Sequence, residues 1–165
     1  VIRPLPERPG PGQESVWDYP RPPRLEPVDA VIEVVFGGRT IASTTQALRV
    51  LETSHPPTYY LPISSFVAGS LRPASARSIC EWKGEATYFD VVDGPRVARR
   101  AAWTYPRPTA AFEQIVNHVA VYPAAMDRCT VDGEAVRPQP GGFYAGWITS
   151  RVVGPFKGEP GTQFW

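Results

Sequence analysis

The chain has 165 residues, 42% hydrophobic and 12% aromatic, enough for one domain with its own core and too much for a disordered protein. Its 20 prolines and 14 glycines fall mostly between apolar runs, the pattern of turns joining short strands. A net charge of +1 excludes broad attraction to nucleic acid or an anionic membrane, and no apolar run nears the ~20 residues of a membrane-spanning helix.

Residues 1–15, VIRPLPERPGPGQES, predict a flexible Pro-rich N-terminal arm ahead of a single β domain over 16–165. The arm contains Arg3-x-x-Pro6-x-x-Pro9, which fits a polyproline ligand, although a loose tail is the simpler account. WDYPRP follows at 17–22 and returns, with one change, as WTYPRP at 103–108. Proline stops a strand, and Trp and Tyr two residues apart share one side of an extended chain. Each phrase therefore predicts aromatic rings lying as a lid at a sheet border. VIEVVFGGRTIAS at 31–43 predicts a hairpin about Gly37-Gly38. TTQALRVLET at 44–53 has some helical spacing but is short enough to be strand.

Residues 78–103 hold two longer strands about Asp93-Gly94-Pro95, and AAFEQIVNH at 110–118 reads as a turn or two of helix. NHVAVYP at 117–123 is a strand, with His118 at its end. CTVDGEAVRP at 129–138 is a second hairpin about Asp132-Gly133, and GFYAGWITSRVV at 142–153 adds further strands. WKGE at 82–85 is echoed by FKGE at 156–159, in the same order after each aromatic-proline phrase. The whole predicts a mainly β domain with little helix, built as two similar units about a pseudo-twofold axis.

Four stretches set polar groups beside aromatics: 52–60, 80–84, 141–147 and 154–158. In strand geometry Glu81 and Lys83 share one face, and Cys80 and Trp82 the other. An isolated surface ion pair would explain the first couple. The functional reading places Lys83 and Lys157 in one cleft, where they bind an anion or polarise a carbonyl while Glu81 or Glu52 serves as acid or base. Tyr60, Trp82, Tyr105, Trp147 and Lys157 are the candidate ligand-binding residues, forming aromatic walls with a few convergent polar groups. Cys80 and Cys129 lack any CxxC spacing, so no structural zinc is expected. No basic-then-apolar signal segment opens the sequence, so both read as free thiols in the cytoplasm. Phosphate loops of the GxGxxG and GxxxxGK[ST] types, HExxH and GxSxG are absent from the sequence.

ALRVLETSHPPTYYLP, CEWKGEATYFDV, AAWTYPRP, VDGEAVRPQPGGFYAGWI and VGPFKGEPGTQFW closely resemble the domain of unknown function 427 family, over about Trp17 to Trp165. The resemblance implies a bacterial-type protein with a β-tent, Mss4-like fold, in which two antiparallel sheets lean together over a cleft. Relatives in that class hold zinc through paired CxxC motifs, which this chain does not have. A nucleotidyltransferase-like label attached to the family implies paired acidic metal ligands; no Asp-x-Asp or Asp-x-Glu pair of that kind is expected here, and Asp90 and Asp93 fall on opposite faces of a strand. The resulting expectation is a small-molecule binder, for a heterocycle or nucleotide-like ligand and with catalysis left open. The alternative is a protein- or peptide-interaction module, and homo-oligomerisation stays open. The near-neutral charge makes nucleic acid an unfavoured partner.

Overall fold

The computed structural model describes residues 3–165, so the first two residues of the Pro-rich arm lie outside it. The strands are β1 (Glu14–Ser15), β2 (Arg24–Pro27), β3 (Ile32–Phe36), β4 (Arg39–Thr44), β5 (Leu48–Leu51), β6 (Thr58–Pro62), β7 (Leu71–Cys80), β8 (Gly84–Asp93), β9 (Arg96–Thr104), β10 (His118–Val121), β11 (Arg128–Val131), β12 (Glu134–Ala135), β13 (Arg137–Pro138), β14 (Trp147–Ile148) and β15 (Val152–Val153). Helix among the described residues is limited to short 3₁₀ turns, the longest at Ala110–Ile115. The chain is mainly β, as its composition predicts, and the ambiguous 44–53 segment resolves to strand.

Both predicted hairpins form, because their turn residues take the positive φ that a two-residue turn needs. Gly37 and Gly38 sit at φ 66° and 80°, Asp132 and Gly133 at 47° and 81°. The first strands of the two hairpins pair with each other, Cys129 opposite Val34 and Thr130 opposite Glu33. This gives a four-stranded antiparallel sheet in the order β12-β11-β3-β4. The larger sheet has seven antiparallel strands in the order β2-β5-β6-β10-β9-β8-β7. Strand β3 buries alternate residues, Ile32, Val34 and Phe36, the period of a half-buried strand. These side chains pack with Tyr59, Leu61, Val119 and Val121 of the large sheet.

Among the described residues the space between the sheets is therefore filled by apolar side chains rather than opened as the expected cleft. The opposite face of the large sheet carries a second cluster, Tyr60, Trp103, Tyr105, Phe112, Ile115 and Ala120, with no member from the four-stranded sheet. Neighbours along one strand explain this: Tyr59 and Leu61 point to the core, and Tyr60 between them points away. A third cluster of Val16, Trp17, Tyr19, Leu51 and Val152 seals the start of the domain. The two aromatic-proline phrases thus serve different places. Trp17 is a lid, its Nε1 donating to the Pro155 carbonyl at 2.9 Å, whereas Trp103 belongs to the reverse face of the large sheet. The described residues of the Pro-rich arm run without helix along the far end of the chain. Glu7 N–H donates to Gly154 O at 2.9 Å, Gln13 Nε2 to Ser150 O at 2.9 Å, and β1 pairs in parallel with β15.

Candidate functional site

A cleft of about 430 Å³ opens on the reverse face of the large sheet. Its floor follows from strand pairing. Thr58 and Tyr60 stand on the same side of β6, and Trp103 on β9 lies directly across from Tyr88 on β8. Tyr105 continues that side of the chain just past β9, and Tyr122 packs its ring 4.9 Å from Trp103. Tyr60 meets Trp103 edge-on with ring centres 6.3 Å apart. Burial raises the phenol pKa of both Tyr60 and Tyr105, so these rings are neutral walls.

One rim is the β7–β8 hairpin. Cys80 pairs with Gly84, which leaves Glu81, Trp82 and Lys83 as the connecting loop and corrects the expected alternation of these residues on one pleat. Gly84 takes φ 110°, and a Cβ there would stand 3.1 Å from the Arg107 carbonyl. The hairpin is pinned against the second aromatic-proline phrase, with Thr109 Oγ1 donating to Trp82 O at 2.5 Å and Thr109 N–H to Lys83 O at 3.0 Å. Lys83 Nζ lies 5.9 Å from the ring centres of Tyr105 and Phe112. Glu81 is exposed at the outer edge, and Trp82 is half-buried.

The other rim is polar and comes from three separated segments. Glu52 pairs with Arg21 at 3.2 Å, and its Oε2 lies 3.5 Å from His55 Nε2. His55 Nδ1 lies 3.1 Å from Gln139 Nε2. The orientation of the Gln139 amide is fixed by its partners: its Oε1 accepts from Gly146 N–H at 3.0 Å, and its Nε2 donates to Lys157 O at 2.8 Å. The second Nε2 hydrogen therefore goes to His55 Nδ1, which must be unprotonated to accept it. The neutral ring then carries its hydrogen on Nε2, facing Glu52. Burial pushes the His55 pKa down to about 4, against the pull of the Glu52 carboxylate and with help from Lys157. His55 thus bridges the two side chains, bonded to Gln139 through Nδ1 and facing Glu52 at 3.5 Å through Nε2. Lys157 Nζ lies over the Tyr144 ring at 5.8 Å, and burial lowers its pKa.

Glu52, Tyr60, Glu81, Trp82, Lys83, Tyr105 and Lys157 all line this one cleft. Trp147 does not. It is fully buried in the core between the sheets, its ring 4.8 Å from that of Tyr59, because the flanking strand β14 turns it inward. The cleft is also lined by His55, Phe143 and Tyr144, which fall in the polar-aromatic stretches of the sequence without being named as site residues, and by Tyr88, Tyr122 and Gln139, which lie outside those stretches. Cys80 is half-buried beside them and Cys129 is buried, with its thiol pushed up to about 12.

Contrary to the expectation of no such pair, Asp132 and Glu134 of the second hairpin form an Asp-x-Glu, and both carboxylates are spent on structure. Asp132 accepts from Val31 N–H at 2.7 Å and pairs with Arg151, and Glu134 takes both the N–H and the hydroxyl of Ser150. Among the described residues no group of three or more His, Cys, Asp or Glu side chains is placed to hold a metal ion. Among the described residues no helix is long and apolar enough to cross a membrane.

No curated protein matches the chain. A family model described as a domain of unknown function (DUF427) matches residues 24–132, well over half of the chain. The matched region supplies the aromatic floor, the Trp82 hairpin, Glu52 and His55; Gln139, Tyr144 and Lys157 come from beyond it. On that match the chain belongs to the DUF427 family.

Proposed function

We propose that the cleft binds a small molecule carrying a flat ring, with the ring against the aromatic floor and its polar groups toward Glu52, Lys83 and Lys157. The observation that carries this reading is the meeting, in one 430 Å³ hollow, of an aromatic floor with a carboxylate held by Arg21 and His55. The volume falls in the range of small-molecule sites, which are mostly apolar with a few placed polar groups. Glu52 accepts hydrogen bonds from ring or amino N–H groups, and the two ammonium groups attract an anionic substituent. Tyr60 and Tyr105 shape the floor, while Trp82 and Tyr144 are the rings on the rims. Glu81 is the most exposed of the carboxylates named for the site and comes second to Glu52 as an acid or base.

A thermal-shift screen of nucleobases, nucleosides, nucleotides with and without magnesium, and common metabolites tests the reading. A ligand at 100 times its Kd stabilises by ~2.7 kcal/mol, a shift of several degrees. Glu52→Gln and Lys157→Met should each weaken a hit without lowering the melting temperature of the free protein by more than a few degrees. A panel with no hit, or a hit indifferent to both substitutions, removes the cleft as a ligand site.

A further inference from the structure

We propose that a second hollow, beside the cleft, seats the phosphate of the bound molecule, so that the site as a whole takes a ring-bearing phosphate ester. The inference rests on the ring-binding reading of the cleft. The second hollow has a volume of about 560 Å³, and Tyr88 and Tyr122 belong to the walls of both. The two hollows therefore adjoin across these two rings, and a ligand on the aromatic floor long enough to pass them would enter the second.

Three arginines line the second hollow: Arg77, Arg99 and Arg100. Arg77 is held by Glu85 at 2.9 Å. Arg99 and Arg100 have no carboxylate within 4 Å among the described residues, as is also true of Arg8, Arg107, Arg128 and Arg137, whereas Arg21, Arg24, Arg39, Arg49, Arg72, Arg96 and Arg151 each have one; what sets Arg99 and Arg100 apart is that both line this hollow. Two adjacent free guanidinium groups offer the forked donors that suit a phosphate.

The backbone explains how consecutive residues come to share one hollow. In a regular strand Arg99 and Arg100 would point to opposite faces. Here Phe89 pairs with Ala102 but Val91 pairs with Ala98, so Asp90 faces three residues of β9. The bulge puts Arg100 at φ 52°, an uncommon conformation for a residue other than glycine. Asp90 holds it there, accepting the Arg100 N–H at 2.8 Å and pairing with Arg72 at 3.2 Å. Bulges of this kind re-aim side chains beside functional sites, and here the device places both arginines on the hollow next to the cleft.

Calorimetry of the full chain at low salt, with the four ribonucleosides and their 5′-monophosphates, tests the proposal. A nucleotide should bind about tenfold more tightly than its nucleoside. The double variant Arg99→Gln/Arg100→Gln should erase most of that preference and leave the nucleoside affinity unchanged. Gly142→Leu tests the same hollow from another segment without touching the bulge, since a Cβ at Gly142 meets nothing within 4 Å; it should block the nucleotide's advantage likewise. Pyrophosphate alone should shift the NMR signals of Arg99 and Arg100. Equal binding of nucleoside and nucleotide overturns the proposal and leaves the cleft reading standing. Silence of all eight compounds with a response to pyrophosphate removes the cleft reading and keeps the anion seat. Silence of pyrophosphate as well removes both. Binding of a single-stranded decanucleotide far more tightly than any monomer replaces the ester with a polymer and overturns the proposal.

Discussion

His55 gives the sharpest quantitative test of the site's construction. Its ordinary pKa is 6.5, and burial against Gln139 and beneath Lys157 lowers it to about 4 in the folded chain. The unfolded state therefore binds a proton between these values that the folded state refuses. Stability contributed by the neutral ring is complete above pH 6.5 and is lost as pH falls toward 4. A depression from 6.5 to about 4, at 1.36 kcal/mol for each unit, makes the loss on the order of 3 kcal/mol by pH 4. His55→Gln removes the titrating group while an amide of similar size still fills the place. Urea unfolding of both proteins, followed by tryptophan fluorescence at steps from pH 7.5 to pH 4, isolates the effect, because the carboxylates common to both cancel in the difference. The wild type should lose about 3 kcal/mol more than the variant over that range. Parallel curves would refute the neutral tautomer and with it the Gln139 bond. A wild-type curve that steepened above pH 6.5 would mean that Glu52 outweighs burial.

Arg100→Gly should relieve the left-handed strain and raise stability by about 1 kcal/mol, measured by chemical denaturation; a net loss would show that the Arg100 side chain packs in a way the bulge geometry does not reveal. Gly158→Ala should cost on the order of 3 kcal/mol, because Gly158 sits at φ 139° and its new Cβ would fall 1.9 Å from the Pro140 carbonyl. The same substitution should detach Lys157 from Gln139 and abolish any thermal-shift hit; a variant melting like the wild type rejects this account of the loop junction. Cys80 should react with iodoacetamide in the folded protein while Cys129, buried and with its thiol at about 12, should not, as read by peptide mass spectrometry. A cleft ligand should slow the Cys80 reaction, and labelling of Cys129 first would contradict the placement of both.

Local turn chemistry was the most legible part of the sequence. Gly37-Gly38 and Asp132-Gly133 specify hairpins because few residues accept two consecutive positive φ angles, and the structure forms both. Strand β7 was mostly hidden. LRPASARSIC has little apolar alternation because it is the exposed edge of the large sheet, with Pro73 tolerated where a bulge interrupts pairing. Trp147 shows the limit of composition: its aromatic neighbours in 141–147 look alike in sequence, yet Phe143 is exposed and Trp147 has no exposure at all. Gln139 was invisible for another reason. A glutamine in a Pro-Gln-Pro loop carries no local signal, and its role exists only because Gly146, Lys157 and His55 converge on it.

The two lysines of the WKGE and FKGE echo do meet at one cleft, but by unlike routes, and that difference bears on what the cleft requires. Lys83 is carried by a three-residue hairpin loop pinned at Thr109. Lys157 is carried by an irregular segment whose N–H donates to Ser54 O at 2.9 Å and whose next residue must be glycine to pass Pro140. A repeat kept for packing alone would place its copies in equivalent packing, as the two Gly-turn hairpins are placed in the small sheet. Here the packing differs and the shared feature is an ammonium group near an aromatic ring, Tyr105 and Phe112 for one and Tyr144 for the other. Two cations held apart by different scaffolds, with Glu52 on the same cleft, divide the hollow into an acceptor and two positive edges. That arrangement fits a ligand with donor groups on its ring and negative charge at its periphery. The arginines of the adjoining bulge extend the positive edge past Tyr88 and Tyr122, where a longer anionic group would meet further unpaired donors.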